Sequence, residues 1–233
     1  MKNRDLKSTF CMLSLIGCVQ FCILTIIAML TFPGGIHGGI DTTGYDFLRN
    51  FFSDLGGTVS PTGLPNPISS VLFFIALAGV GIMNMPFLIV LPSIFKENKP
   101  SFIFAWIGSI VGFTAAIAFV CIAFMPWDVN IIGHIISVQV AFIGLIPLGA
   151  CYIISILASK KSVLPKKYAA ILIEFTAAAV LYIILLFNGP PISSPEGIMI
   201  NVVGQKLIVY NSIVAVASLA YGSGRVIVNR AKL

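Results

Sequence analysis

Charged side chains are scarce in this sequence. Only 9% of its 233 residues are Asp, Glu, Lys or Arg, whereas 58% are hydrophobic and the mean hydropathy is +1.03. A water-soluble domain carries roughly 25% charged residues, so these side chains are too few to cover a water-facing surface. The composition excludes an ordinary soluble globular protein and favours lipid as the solvent of this chain.

The motifs of the common cofactor and metal enzymes are also missing. There is no Gly-rich phosphate loop, no Cys-x-x-Cys, no His-Glu-x-x-His and no Gly-x-Ser-x-Gly. The two histidines, His37 and His134, are too few for a His-rich zinc site, which leaves a mixed His/Asp site as the metal alternative. The cysteines all lie inside apolar runs, where packing is their expected role. We therefore expect no metal and no cofactor.

Long, continuous apolar runs are what the sequence has in abundance. They are about the length of a helix that crosses a hydrocarbon core of about 30 Å, and they are too continuous for barrel strands. The predicted fold is all-α: one polytopic membrane domain over residues 1–233, built as a bundle of six transmembrane helices. The predicted spans are residues 10–32, 67–95, 101–125, 132–157, 168–188 and 204–228.

The basic residues predict the orientation of these spans. Twelve of the fourteen Lys and Arg residues fall on one side of a six-span arrangement, and only Arg49 and Lys206 fall on the other. This bias predicts a multi-pass protein of the cell membrane with both termini in the cytoplasm. No clustered basic domain is present, so we expect membrane lipids as partners and no nucleic acid. The twelve are Lys2, Arg4, Lys7, Lys96, Lys99, Lys160, Lys161, Lys166, Lys167, Arg225, Arg230 and Lys232.

The first outer connection, residues 33–66, holds most of the polar side chains. Residues 45–56 have helical periodicity, which predicts a short amphipathic helix at the membrane interface. One face of that helix would be a polar stripe directed to water or to a cavity. The alternative is a helix that re-enters the membrane interface and has no binding or catalytic role. The stripe consists of Asp46, Arg49, Asn50, Ser53 and Asp54.

Further polar residues are expected at the same membrane depth. Asp128 follows the third span and His134 lies about one turn into the fourth, where Asp128 could orient the ring. The alternatives are that Asp128 only caps a helix end and that His134 only lies at the membrane interface. The sixth predicted span opens with Gln205 and Lys206, followed by Tyr210. We hypothesise one outward-facing polar pocket for ligand binding. It would contain Arg49, Asn50, Ser53, Asp54, His134, Gln205, Lys206 and Tyr210, with Asp54, Asp128 and His134 as the catalytic candidates.

Two polar residues fall deeper in the predicted bundle. Glu174 lies about seven residues into the fifth span, and Asn84 lies beside Pro86 in the second span at a similar depth. An ionisable group in a membrane helix is a functional candidate. Glu174 could serve a proton relay, or it could hydrogen-bond Asn84 and join two helices.

Four motifs resemble a prokaryotic six-span membrane family known as a domain of unknown function, number 998, and the chain is distantly similar to the DRAM/Sfk membrane family. The motifs are Phe32-Pro33-Gly34-Gly35, Asn50-x-x-Ser53-Asp54-Leu55-Gly56, Met125-Pro126-Trp127-Asp128 followed by His134, and Gly204-Gln205-Lys206. The resemblance implies the six-span fold and a site at the outer end. The DRAM/Sfk relatives imply a role in lipid or membrane homeostasis.

Three functions remain open from the sequence. In the first, the pocket binds a lipid headgroup and serves membrane-lipid homeostasis, with Arg49 and Lys206 as the cations. In the second, a membrane-embedded enzyme acts on a lipid and His134 is its acid/base. In the third, Glu174 serves a proton-linked transporter. The sequence leaves open whether the protein is an enzyme, and it does not give an oligomeric state.

Overall fold

The computed structural model describes residues 2–159 and 163–230, with the side chains of residues 2–4 left out. Six long α-helices lie within these two ranges, and by length and composition each can cross a membrane. The chain is therefore a multi-pass membrane protein with an all-α fold, as predicted. The helices are α1 (Lys2–Thr31), α2 (Pro67–Val90), α3 (Lys99–Phe124), α4 (Ile131–Leu157), α5 (Lys166–Asn188) and α6 (Pro195–Asn229).

The six helices form a closed ring. Each packs against the next helix in the chain, and α6 packs against α1. Small residues allow close approach: a Cβ added to Gly108 on α3 would lie 3.0 Å from the Cβ of Cys151 on α4. Large apolar side chains such as Met12, Ile110, Leu181 and Leu207 are exposed on the outside of the ring. An apolar outer surface is what a lipid environment requires.

The two ends of the ring differ. At one end, which we call the termini end, Arg230 donates to the carbonyl of Ile94 (3.0 Å) and Asn98 donates to the carbonyl of Ala158 (2.9 Å). The other end, which we call the loop end, is covered by the connection between α1 and α2, residues 32–66. Arg49 and Lys206 lie at the loop end, as predicted. Lys160, Lys161 and Lys232, which the sequence placed at the opposite end, lie outside the described residues.

The predicted span boundaries are close to the observed ones except at the starts of α1 and α6. Helix α1 begins at Lys2, eight residues before the predicted start at 10. Helix α6 begins at Pro195, nine residues before the predicted start at 204. Ser194 caps it, because its hydroxyl accepts a hydrogen bond from the Gly197 N–H at 3.0 Å. A proline at the first helical position and an acidic residue, Glu196, in the first turn also favour a helix start here. The predicted outer connection 189–203 is correspondingly shorter.

The predicted amphipathic helix over residues 45–56 is wrong in extent. The chain forms a turn at residues 46–50, an extended residue at Phe51, and a short 3-10 helix over Phe52–Gly56. The Asn50 side chain accepts from the Asp46 N–H (2.9 Å), and the Asp54 carboxylate accepts from the Phe51 N–H (2.8 Å). These local bonds stabilise turns in place of one continuous helix.

Candidate functional site

A buried carboxylate, Asp54, organises the loop end. Its side chain is only 1% exposed, and both oxygens accept hydrogen bonds. His37 Nε2 lies 2.9 Å from Oδ1, while Asn50 Nδ2 (3.1 Å) and the Phe51 N–H (2.8 Å) donate to Oδ2. A buried carboxylate is tolerated when its oxygens are hydrogen-bonded in this way. Asp54 therefore holds the loop together and does not face an open pocket.

His37 is the partner of Asp54, which the sequence did not predict. Its ring packs against Trp127, with ring centroids 5.1 Å apart, and a quarter of its side chain is exposed. Burial opposes the charged ring, but the hydrogen bond and the negative charge of Asp54 outweigh burial. The pKa of His37 is therefore raised above its usual value.

Asn50 and the glycine backbone beside His37 complete this arrangement. Asn50 is fully buried, and its amide donates to the carbonyl of Gly35 at 2.8 Å. Gly35 has φ +94°, and a Cβ there would lie 2.2 Å from Oγ1 of Thr62. Only glycine fits this position. The Gly-rich segment thus brings His37 over Asp54, a contact that helical periodicity alone could not reveal.

Lys206 lies beneath the loop and is 3% exposed. Its ammonium donates to the carbonyl of Asn50 and is attracted by the charge of Asp54. It also lies 5.1–5.5 Å from three aromatic ring centroids, those of Tyr45, Phe47 and Phe52. The Lys206 ammonium therefore binds the loop to α6, and the ligand-binding role of Lys206 stays a prediction.

Arg49 and Tyr210 also have partners within the protein. The Arg49 guanidinium forms a salt bridge with Asp46 at 2.7 Å on the exposed side of the loop. The Tyr210 ring packs edge-on against Phe52, with centroids 5.5 Å apart. The predicted polar stripe is therefore divided, since Asp46 and Arg49 face water while Asn50 and Asp54 are buried.

Asp128 holds the far part of the same loop. Its Oδ2 accepts from the backbone N–H groups of Thr58 (2.9 Å) and Val59 (3.1 Å), and from the Thr58 hydroxyl. The prediction that Asp128 orients His134 is wrong. His134 Nδ1 instead lies 2.8 Å from the carbonyl oxygen of Met125. Because a carbonyl can only accept, Nδ1 donates this hydrogen bond, and in the neutral form of the ring Nε2 is an acceptor.

A central cavity runs through the ring and is lined by all six helices. Its volume is about 150 Å³. On α4 the lining extends from His134 to Tyr152, a distance of about 27 Å at 1.5 Å per residue. Most of the lining is apolar, including Phe73, Phe119, Phe142, Leu145, Phe175 and Val209, and none of the described lining residues is charged.

The loop end of this cavity is polar. Phe52 and Ser53 of the 3-10 helix line it, together with His134 and Gln205. Gln205 fixes the 3-10 helix to α6, because its Oε1 accepts from the Phe52 N–H at 2.8 Å. Of the eight residues expected to share a pocket, Ser53, His134 and Gln205 line the cavity. Asp54 lies in the packed loop and Lys206 lies beneath it on α6.

The predicted contact between Glu174 and Asn84 is also wrong. Asn84 on α2 accepts a hydrogen bond from Ser14 on α1. Glu174 is exposed on the outer surface of α5 and accepts from Asn211 on α6. Two separate pairs therefore join two pairs of neighbouring helices.

Within the described ranges, no three His, Cys, Asp or Glu residues are placed to hold a metal ion. The chain matches no family model, no curated protein and no solved structure. The resemblance to the six-span family of unknown function and to DRAM/Sfk proteins stays a prediction from the motifs.

Proposed function

We propose that this protein binds a membrane lipid in the cell membrane, and that the lipid's chain occupies the central cavity. The observation that carries the proposal is the cavity itself: an elongated, apolar space enclosed by a ring of six helices. Its polar groups lie at the loop end, and the deeper part is lined mainly by aromatic and aliphatic side chains. This polarity matches a molecule with a polar head and an apolar tail.

The size and chemistry of the cavity favour such an occupant over water. A volume of about 150 Å³ is about ten times the roughly 10–15 Å³ that one water requires. A water also needs two to four polar partners, and the apolar middle of the cavity offers few. An apolar chain would fill the space and gain dispersion contacts with the lining. The surrounding bilayer is the nearest source of such chains.

The proposal changes the sequence-based hypothesis in one respect. Lys206 and Arg49, the expected headgroup cations, already have partners within the loop. The lipid would instead be recognised by its chain. The proposed role of the protein in membrane-lipid homeostasis is unchanged. The positive-inside bias of the sequence supports an orientation with the loop end outside.

The enzyme and transporter alternatives have less support. The other two catalytic candidates, Asp54 and Asp128, hydrogen-bond loop residues and not His134, so no carboxylate partner is placed beside that ring. The proton-relay candidate, Glu174, lies on the outer surface and does not line the cavity.

A pair of substitutions on α6 tests the proposal. Val216→Phe places a ring in the cavity, whereas Val214→Phe places the same ring on the outer surface, where Val214 is 59% exposed. Native mass spectrometry of the purified proteins should find a lipid retained by wild type and Val214→Phe and lost from Val216→Phe. Ala116→Leu, which fills the cavity from α3, should also lose it if Val216→Phe proves unstable. Equal retention in all four proteins would contradict the proposal.

A further inference from the structure

Three side chains at the loop end of the cavity have hydrogen-bonding capacity that the protein does not use. The Ser53 hydroxyl lines the cavity and makes no hydrogen bond within the described ranges. His134 donates from Nδ1 to Met125, which leaves Nε2 as a free acceptor. Gln205 accepts from the Phe52 N–H and hydrogen-bonds Tyr182, so at least one of its two amide N–H bonds remains.

The deeper polar side chains of the cavity differ in this respect. The Ser212 hydroxyl donates to the carbonyl of Ile208 at 2.7 Å, and the Tyr152 hydroxyl lies 2.6 Å from that of Ser109. The Asn84 carbonyl accepts from Ser14. These groups are satisfied by the protein. Unused capacity is thus concentrated at the end where a lipid head would lie.

The free groups define the chemistry of that head. The Nε2 of His134 requires a hydrogen-bond donor, and the Gln205 amide N–H requires an acceptor. The Ser53 hydroxyl can pair with a donor or with an acceptor. A hydroxyl group satisfies all three, since it carries one donor and two lone pairs. No described residue lining the cavity is cationic, so a phosphate or carboxylate head would be buried without a counter-charge, which is costly.

From this geometry we infer that the ligand is a single-chain lipid with an uncharged, hydroxyl-bearing head, such as a long-chain alcohol or a monoacylglycerol. A volume of about 150 Å³ spread over about 27 Å has room for one extended chain and not for two side by side. The inference rests on the proposed function, because it names the lipid class for the same cavity.

Three probes of equal chain length test the head: a long-chain alcohol, the corresponding alkane, and the corresponding phosphate monoester. Binding to the full-length protein in detergent is measured by native mass spectrometry. We expect the alcohol to bind about tenfold more tightly than the alkane, which is the effect of one or two hydrogen bonds, and the phosphate monoester to bind most weakly. Equal binding of alcohol and alkane, or tightest binding of the phosphate monoester, would overturn the inference.

Two serine variants provide a matched control. Ser53→Ala removes an unused hydroxyl and should reduce the preference for the alcohol by about three- to tenfold, while alkane binding is unchanged. Ser212→Ala removes a hydroxyl from the same cavity that already has a partner, and it should leave the preference as in wild type. An equal loss in both variants would assign the effect to packing and overturn the inference.

The outcomes separate the inference from the proposed function. If all probes bind and the head makes no difference, the cavity binds chains and only the head assignment fails. If none of the probes binds and Val216→Phe retains as much lipid as wild type, the proposed function itself fails.

Discussion

The buried loop cluster and the central cavity lie next to each other at one end of the ring, but they use polar groups in opposite ways. In the loop cluster, Asp54, Asn50 and Lys206 form hydrogen bonds with one another or with loop backbone. In the cavity, Ser53 and His134 keep free acceptor or donor atoms. The comparison teaches that a charged residue at the right membrane depth can be fully used by contacts within the protein. The proposed lipid site depends instead on unused hydrogen-bonding capacity next to an apolar space.

The largest expected effect comes from removing the centre of the loop cluster. Asp54→Ala removes the acceptor of His37 and of the Phe51 N–H, and one of the two acceptors of the Asn50 amide. It also removes the charge that attracts Lys206. We expect a loss of about 3–5 kcal/mol in the free energy of unfolding, as for other broken buried ion pairs. Chemical denaturation in detergent measures it.

Asp46→Ala is the matched control for Asp54→Ala. It removes the same kind of side chain from the exposed Asp46–Arg49 pair of the same loop, and it should cost about 0–1 kcal/mol. Similar losses for the two variants would show that the buried cluster has no special role in stability.

A smaller effect is expected from Lys206→Met, which keeps much of the side-chain volume but removes the ammonium. The loop then loses its hydrogen bond from α6 at Asn50 and its contacts with the three aromatic rings. We expect a loss of about 2–3 kcal/mol and faster hydrogen exchange in residues 45–56. Lipid retention should persist if the loop still covers the cavity. Loss of lipid with no change in loop exchange would instead make Lys206 a ligand-binding residue.

Loop stability should also depend on pH through His37. Its pKa is raised in the folded protein, so the folded state binds the proton more tightly than the unfolded state. The stabilisation is therefore fully present below the unfolded pKa of about 6.5 and is lost as pH rises through the raised pKa. Hydrogen exchange of residues 33–56, corrected for intrinsic pH dependence, should accelerate across that range. His37→Gln should remove the dependence, and an unchanged pH profile in that variant would assign it to another group.

The smallest effect is expected at Glu174. Its side chain is exposed on the outside of α5 and does not line the cavity. Glu174→Gln can keep a hydrogen bond with Asn211, so stability should change by less than about 0.5 kcal/mol and lipid retention should not change. A strong loss of lipid, or of any proton-linked flux, in this variant would revive the transporter alternative.

The spans could be predicted from the sequence because the length and continuity of an apolar run directly report a helix in lipid. The start of α6 was missed because its first turns contain Gly197, Asn201 and Gly204, which dilute the apolar signal. Ser194-Pro195-Glu196 was the signal that could have located it.

The site was predicted only in part, because its contacts join distant parts of the chain. Helical periodicity places Asn50 and Asp54 on one face, but it does not tell whether that face is buried. The His37–Asp54 pair spans 17 residues and the contact of Gln205 with Phe52 spans 153. Such pairings depend on how the loop folds over the ring, and a single sequence does not encode them as a local pattern.

Photo-crosslinking of a lipid tests the occupied cavity most directly. A long-chain alcohol with a photoreactive group at mid-chain is equilibrated with the protein in lipid nanodiscs, illuminated, and mapped by peptide mass spectrometry. Val138, Phe142 and Leu145 line the cavity, whereas Ile136 and Ile143 are exposed on the outer face of the same helix. Saturable labelling of the first three residues, abolished by Val216→Phe, is the predicted result. Labelling confined to Ile136 and Ile143 would contradict a lipid-binding cavity.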